Sequence, residues 1–400
     1  MNFIFISPHF PENYWNFCSQ LKKNGVNVLG IGDAVYNSLR YELRQALTEY
    51  YRVDSMENYD QMYRAVAYFA FKYGKIDWLE SNNEHWLEQD ARLRTDFNIT
   101  TGYRAEELAC LVKKSGMKKY YEKAGIPTAP WCMVDTTENC LAFAQRVGYP
   151  VIVKPDRGVG AEFTWKLCNP HDVEVFLYTK PAKSFIMEKF VEGEICSYDA
   201  IINTKGEPLF ESGNITPISI MDAVNNKDTV YFYMVKELAE DMRAAGRRCA
   251  DAFGVKGRFI HFEFFRLSRD QEGIGKAGQL AGLEVNMRPS GGYSPDMLNY
   301  ANSANVYRIW ADMIAFDENR QKAYPERYYC AFAGRRDQKE YQHSHIEVLS
   351  RYRSNITLSD RLPEVLARGM GDQMYLAKFA EKDQVNEFIE FVSAKQEAGR

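Results

Sequence analysis

Residues 258–265 read Arg258-Phe259-Ile260-His261-Phe262-Glu263-Phe264-Phe265, and residues 283–289 read Leu283-Glu284-Val285-Asn286-Met287-Arg288-Pro289. Side chains alternate between the two faces of a strand. His261 and Glu263 therefore share one face of the first segment, and Glu284, Asn286 and Arg288 share one face of the second. If the segments pair antiparallel, these polar residues converge on one face of an otherwise apolar sheet. Two carboxylates, an amide oxygen and a guanidinium gathered there are costly unless a bound ion neutralises them. Hard oxygen donors of this kind suit Mg²⁺, with Mn²⁺ as the alternative ion; Mg²⁺ typically takes one or two carboxylates plus substrate phosphates. Arg288 adds a bidentate grip for a phosphate or a carboxylate. The competing reading is a solvent-facing amphipathic hairpin. The i, i+2, i+4 register, ended by Pro289-Ser290-Gly291-Gly292, speaks against it.

Working outward, the segment Pro150-Val151-Ile152-Val153-Lys154-Pro155 is an apolar strand with Lys154 near its end, followed by Asp156-Arg157-Gly158-Val159-Gly160. A lysine beside a glycine loop can meet phosphate oxygens with backbone N–H groups assisting, although strand-end lysines are also common on surfaces. Phe185-Ile186-Met187-Glu188-Lys189-Phe190-Val191-Glu192-Gly193-Glu194 is an apolar strand breaking into an acidic turn. Such a strand end could line the edge of a purine, and a plain strand end reads equally well. A P-loop signature G-x-x-x-x-G-K-[ST] is absent. Gly30-Ile31-Gly32-Asp33 follows the second strand and lacks the third glycine of G-x-G-x-x-G. The first strand turns at Ser7-Pro8-His9-Phe10-Pro11 without any glycine, so a dinucleotide site would have no pyrophosphate cradle.

The 400 residues, 46% hydrophobic and 26% charged, are enough for more than one core. A net charge of -4 gives no compositional case for a nucleic-acid or membrane-surface partner. The chain starts on a strand-like segment without a signal-peptide pattern, and its eight cysteines lack C-x-x-C spacing. An intracellular, cytoplasmic chain with reduced cysteines is expected. His343 and His345 have no carboxylate or cysteine near them in sequence and read as part of an exposed strand or loop. The first hundred residues alternate strands (3–7, 26–31, 76–79) with helices (13–24, 36–51, 62–72), which predicts a parallel, doubly wound α/β unit. After the helix at 113–124 the pattern becomes α+β. Antiparallel pairs are expected at 150–155 with 164–167, at 197–203 with 208–213, and at 258–267 with 283–288. Helices are expected at 170–179, 239–253 and 295–316, and a small terminal unit closes the chain. Asp33, Glu80, Asn82, Asn83 and Glu84 fall at or after strand ends of the first unit, where they could line a cleft or simply cap and turn.

Lys114 before Ala124-Gly125-Ile126-Pro127, then Lys154 and its glycine loop, Met187-Glu188-Lys189-Phe190-Val191, Glu263 and Glu284-Val285-Asn286-Met287-Arg288 stand in an order that resembles the ATP-grasp superfamily. The branch it looks most like holds biotin carboxylase and the carbamoyl phosphate synthetase large chain. The resemblance implies an N-terminal α/β domain (1–111), a small lid subdomain (112–195), a central antiparallel metal- and phosphate-binding subdomain (196–320) and a C-terminal α+β extension (321–400). It implies ATP held by Lys114, Lys154, Gly158, Gly160, Glu188, Lys189, Val191 and Glu194. Glu188 would meet the adenine amino group, the backbone at Lys189 and Val191 the purine edge, and Glu194 the ribose. Metal would sit on Glu263, Glu284 and Asn286, with Arg288 and Lys154 catalytic. The activity implied joins a carboxylate to an amine or other nucleophile through an acyl phosphate, on small molecules, with no nucleic-acid or membrane partner and with homo-oligomers permitted. A small-molecule kinase and a non-catalytic nucleotide-binding regulator are the alternatives.

Overall fold

Apolar strands separated by amphipathic helices build three sheets in the computed structural model, which describes residues 1–108, 111–158, 163–217, 228–322 and 326–396. The first sheet contains β1 (Asn2–Ile6), β2 (Asn27–Gly32), β3 (Glu49–Arg52) and β4 (Trp78–Glu80), all parallel, in the order β3-β2-β1-β4. Phe3, Phe5 and Val28 pack one face against Phe17, Cys18 and Leu21 of the helix Trp15–Lys23. Ile4, Ile6, Leu29 and Ile31 pack the other against Met62, Val66 and Phe69 of the helix Tyr59–Tyr73. Cover on both faces is the doubly wound arrangement the alternation predicts. One expectation fails: residues 36–51 do not form a single helix. A short turn of helix and the helix Tyr41–Ala46 precede β3, whose Glu49-Tyr50-Tyr51-Arg52 carries aromatic residues that favour a strand on the sheet edge.

The second sheet has β5 (Trp131–Met133), β6 (Val151–Pro155), β7 (Trp165–Leu167) and β8 (Phe185–Lys189) in the order β5-β8-β6-β7, antiparallel throughout. Val151, Val153, Phe185 and Met187 face Phe143, Ala144, Val173 and Phe176 of the helices Thr137–Val147 and Pro170–Thr179. The alternate residues, Ile152, Lys154, Ile186 and Glu188, are left on the opposite face.

The third sheet holds nine strands. They are β9 (Gly193–Ile202), β10 (Pro208–Ser212), β11 (Asn214–Thr216), β12 (Val230–Met234), β13 (Arg258–Leu267), β14 (Leu280–Asn286), β15 (Tyr329–Arg335), β16 (Ile356–Arg361) and β17 (Gln373–Phe379). Eight run β14-β13-β9-β11-β12-β15-β17-β16, and β10 pairs with β9. The terminal unit read from the sequence is thus continuous with the central one: β12 and β15 pair antiparallel from Val230↔Gly334 to Met234↔Cys330. β11, β12 and β16 are too short or too irregular in pattern to announce themselves. His343 stacks on Phe391 at 3.6 Å between ring centroids, while His345 opens a short helix and its ring nitrogen lies 2.8 Å from the Tyr375 hydroxyl.

Two contacts fix the first sheet against the third. Phe17 meets Tyr307 and Trp310 at 4.7 and 5.0 Å between centroids, within the helix Val306–Phe316. Glu80, at the carboxyl end of β4, is paired with Arg94, 2.9 Å away, and with Arg258 of β13. Among the described residues no helix is long and apolar enough to cross a membrane. The described cysteines are all free.

Candidate active site

β13 and β14 are antiparallel, with His261 opposite Asn286 and Glu263 opposite Glu284. Directly opposed residues share a face, so both carboxylates stand side by side as the alternation requires. Immediately past this pair the register slips, because Phe264 faces Gly282 and Leu283 is bulged out. Tyr121 explains the slip. Its ring lies where a Cβ on Gly282 would come within 2.5 Å, and its hydroxyl is 3.1 Å from the Glu263 carbonyl and 2.8 Å from the Glu284 carbonyl. Only a glycine at 282 admits the ring. The ring in turn holds the backbones of both acidic residues.

Each acidic or amide group here has a specific partner. Glu284 Oε1 lies 3.2 Å from Lys114 Nζ, and the same ammonium donates to the Gly158 carbonyl at 2.7 Å. Asn286 Oδ1 accepts from Arg288 at 3.0 Å. Glu263 Oε1 is 2.9 Å from His261 Nε2, whose Nδ1 is 2.8 Å from Asp199 Oδ1. Asp199 is fully buried and accepts from the Ser197 hydroxyl at 2.5 Å. Burial works against a charge on His261, but Asp199 and Glu263 outweigh it and lift its pKa to about 10. Burial likewise opposes ionisation of Glu263, yet the His261 hydrogen bond and charge hold it below the usual carboxylate range. Among the described residues no three His, Cys, Asp or Glu side chains form a metal cage. Two carboxylates and an amide oxygen remain, the donor number that suits a Mg²⁺ completed by phosphate oxygens.

On the second sheet Lys154 and Glu188 face the same side, and Lys154 Nζ is 2.6 Å from Glu188 Oε2. Lys118, four residues after Lys114 on the helix Lys114–Lys123, places its Nζ 2.5 Å from Glu188 Oε1. All three are buried. Burial opposes the Glu188 charge, but the two ammonium groups hold its pKa down to about 2. Burial also pulls Lys118 down, whereas the pull on Lys154 is outweighed by Glu188 and Glu284, which raise it.

Both Glu188 oxygens lie beside ammonium groups, so an adenine amino group would have to displace one of them to reach this side chain. The Lys189 N–H donates to Pro130 O at 2.9 Å and its Nζ to Glu272 O at 2.7 Å. The Val191 N–H, by contrast, has no hydrogen-bond partner among the described residues, which leaves it as the free main-chain donor. Glu194 pairs with Arg266 across β9 and β13. That register puts it on the opposite face from Glu263 and Asp199, so it is not placed to join a ribose to this cleft. Gly158 carries a left-handed φ of 121° at the start of the glycine loop; Gly160 lies outside the described residues. The long loop after β13 braces the end of β8. The Gln271 side chain bonds Glu192 N and O at 2.9 and 2.7 Å.

Arg288 points toward the first sheet, its Nε 3.2 Å from Glu84 Oε2, and it donates to Pro289 O at 2.7 Å. Sequence reading passes over Lys118, Asp199 and the role of His261. The i, i+4 spacing from Lys114 is the one signal that could have revealed Lys118. Asp199 has none, because only β9–β13 pairing brings it to His261.

The family model for the carbamoyl-phosphate synthase L chain ATP-binding domain matches residues 113–177. An L-arginine-specific L-amino acid ligase of Bacillus subtilis is 26% identical over 259 residues, 60% of this chain and 58% of that protein. A carbamoyl phosphate synthase large chain of Clostridium beijerinckii is 25% identical over 210 residues, 48% of this chain and 18% of that one. The chain therefore spans less than two thirds of the length of these curated relatives. Among solved structures, an L-amino acid ligase of Bacillus licheniformis superposes with a TM-score of 0.70 at 14% identity, covering 97% of this chain and 96% of that one. The biotin carboxylase domain of Hydrogenobacter thermophilus 2-oxoglutarate carboxylase, solved with MgADP and bicarbonate, gives 0.70 at 13% identity, covering 98% and 90%. The fold is that of the ATP-grasp superfamily, and within it the chain resembles the branch of biotin carboxylase and the carbamoyl phosphate synthase large chain.

Proposed function

We propose that this chain is an ATP- and Mg²⁺-dependent ligase, acting in the cytoplasm, that joins a small carboxylate to an amine through an acyl phosphate. The observation that carries the reading is the pair Glu263–Glu284, side by side on one face and flanked by Lys114 and Arg288. A set of fixed cations and paired carboxylates around one cleft is what phosphoryl transfer needs, since the protein's work there is positioning and charge neutralisation. Glu263, Glu284 and Asn286 would hold the metal, which neutralises charge on the terminal phosphates. Lys114, reaching the Gly158 carbonyl, would hold the glycine loop over those phosphates, and Lys154 would meet their oxygens. Val191 N–H would address the purine edge.

Arg288 would grip the substrate carboxylate. A carboxylate oxygen attacks the γ-phosphorus and ADP departs with the bonding pair. The amine nitrogen then attacks the acyl carbon, the C–O bond to phosphate breaks, phosphate leaves with its pair, and the nitrogen gives its extra proton to solvent. The similarity to amino acid ligases makes amino acids the first substrates to screen. A ligase of this kind releases ADP and free phosphate, whereas a kinase releases ADP and a phosphorylated product. ADP release from carboxylate and amine mixtures, with phosphate assayed beside it, tests the reading. ADP without free phosphate would convert it to a kinase, and no ADP with any mixture would end it.

A further inference from the structure

The carboxyl edge of the first sheet carries polar atoms that the fold alone leaves unexplained. In the order β3-β2-β1-β4 all strands are parallel but the strand order reverses between β1 and β4, and in open α/β sheets ligands settle outside the carboxyl ends at such a point. Asn13, Asn82 and Glu84 lie there. Asn13 and Asn82 are 8% and 3% exposed. Asn13 Oδ1, Asn82 Nδ2 and Glu84 Oε2 are buried and have no hydrogen-bond partner among the described residues. An unpaired buried polar atom costs about 1–3 kcal/mol, so each calls for an explanation.

Their other contacts fix them in place. The Asn13 amide nitrogen donates to Asp296 Oδ2 at 2.6 Å, so its oxygen is the free end. The Tyr14 hydroxyl donates to the Asn82 carbonyl at 2.8 Å, joining the two loops. Glu84 touches Arg288 at 3.2 Å, but not with the geometry of a hydrogen bond. Burial raises the Glu84 carboxyl above its ordinary range, Arg288 opposes this, and Glu284 adds to it.

A carboxylate loosely set against a guanidinium presents opposite charges side by side. A substrate with a carboxylate next to an ammonium can meet both, its carboxylate on Arg288 and its ammonium on Glu84. We propose that Glu84 is a specificity-determining residue that binds the ammonium group of the acyl-donor substrate. This rests on the ligase reading given above, which assigns Arg288 to the donor carboxylate.

The test uses the full chain with ATP, Mg²⁺ and hydroxylamine, a nucleophile largely uncharged at neutral pH. Hydroxylamine attacks the acyl phosphate to form a C–N bond, phosphate leaves with the electron pair, a proton passes to solvent, and the hydroxamate is measured. Wild-type kcat/KM is compared for L-amino acids and their des-amino counterparts, such as alanine and propionate. The wild type is expected to favour the amino acid, and Glu84→Gln to reduce kcat/KM for the amino acid about tenfold more than for the des-amino acid. Glu84→Asp, which keeps the charge, is expected to recover part of the preference. Parallel losses on both substrates, or an unchanged ratio, overturn the assignment. Wild-type hydroxamate formation without preference for the amino acid also overturns it while leaving the ligase reading intact. No wild-type hydroxamate from any carboxylate overturns the ligase reading and the assignment together. Glu84→Ala provides a second variant, expected to narrow the same ratio if Glu84→Gln does not fold.

Discussion

Two buried charge clusters, one tying the first sheet to the third and one centred on Glu188 and Glu284 of the second and third sheets, are built differently. In the clamp, Arg94 donates to the Leu79 carbonyl, the Tyr103 carbonyl and Glu80, and Arg258 donates to the Met287 carbonyl and Glu80. Main-chain oxygens take much of that charge, and main-chain atoms do not exchange partners. In the cleft, Lys118, Lys154 and Glu188 are paired with one another, as Glu284 is with Lys114 and Glu84 with Arg288, while Lys114 and Arg288 each keep one main-chain carbonyl as well. Side chains paired with side chains can trade those partners for phosphates, a metal or a substrate. The clamp's bonds to carbonyls serve the fold; the cleft's bonds between side chains are the ones available for exchange.

Breaking the clamp is expected to have the largest effect. Arg258→Ala leaves Glu80 with Arg94 alone and removes the tie to Met287, and should cost roughly 3–5 kcal/mol of unfolding free energy in a denaturant titration. Loss of less than about 1 kcal/mol would place the clamp with the exchangeable cluster. Next comes Glu284→Gln, expected to lower Mg²⁺-dependent ATP turnover by about a hundredfold or more while the unfolding midpoint stays near wild type. Undiminished ADP release would remove the metal assignment.

Lys154→Ala leaves Glu188 its second partner, Lys118. It should therefore weaken ATP binding by about tenfold with a smaller effect on unfolding, as read by nucleotide titration and thermal melts. Equal nucleotide affinity in the two proteins would refute its phosphate role. The smallest effect concerns pH. The Glu188 pKa sits at about 2 in the folded chain, below its ordinary 4.5, so its charge stabilises the fold above pH 4.5. That contribution is lost as pH falls from 4.5 toward 2. Glu188→Gln should flatten the stability curve across that window, and an unchanged slope would show that the two lysines do not depend on it.

What the sequence made legible follows from local rules. Strand alternation at 258–267 and 283–288 placed Glu263 and Glu284 together because a two-residue period has one answer once the strands pair antiparallel. The helix expected at 170–179 is present as Pro170–Thr179, where the structure shows Asn169 as cap and Pro170 in its first turn. Glu194 is assigned from the resemblance, and its distance in sequence from Glu188 says nothing about which face of β9 it takes. The ion pairs of Glu188 were not legible, because Lys118 and Lys154 come from a helix and a different strand. Asp199 and Glu84 acquire their roles only through contacts 62 and 204 residues away in the chain, to His261 and Arg288.

The pairing of β12 with β15 has a bearing on how this molecule can be cut. Phe232 and Phe332 stack at 4.9 Å across that seam, and residues 329–335 saturate the outer edge of β12. A shortened chain ending at residue 322 would expose a bare row of amides and carbonyls beside an uncovered aromatic, an open template for intermolecular strand addition. The strand Tyr329–Arg335 is therefore a seal on the third sheet, and a truncated protein would be expected to aggregate before any activity could be assayed.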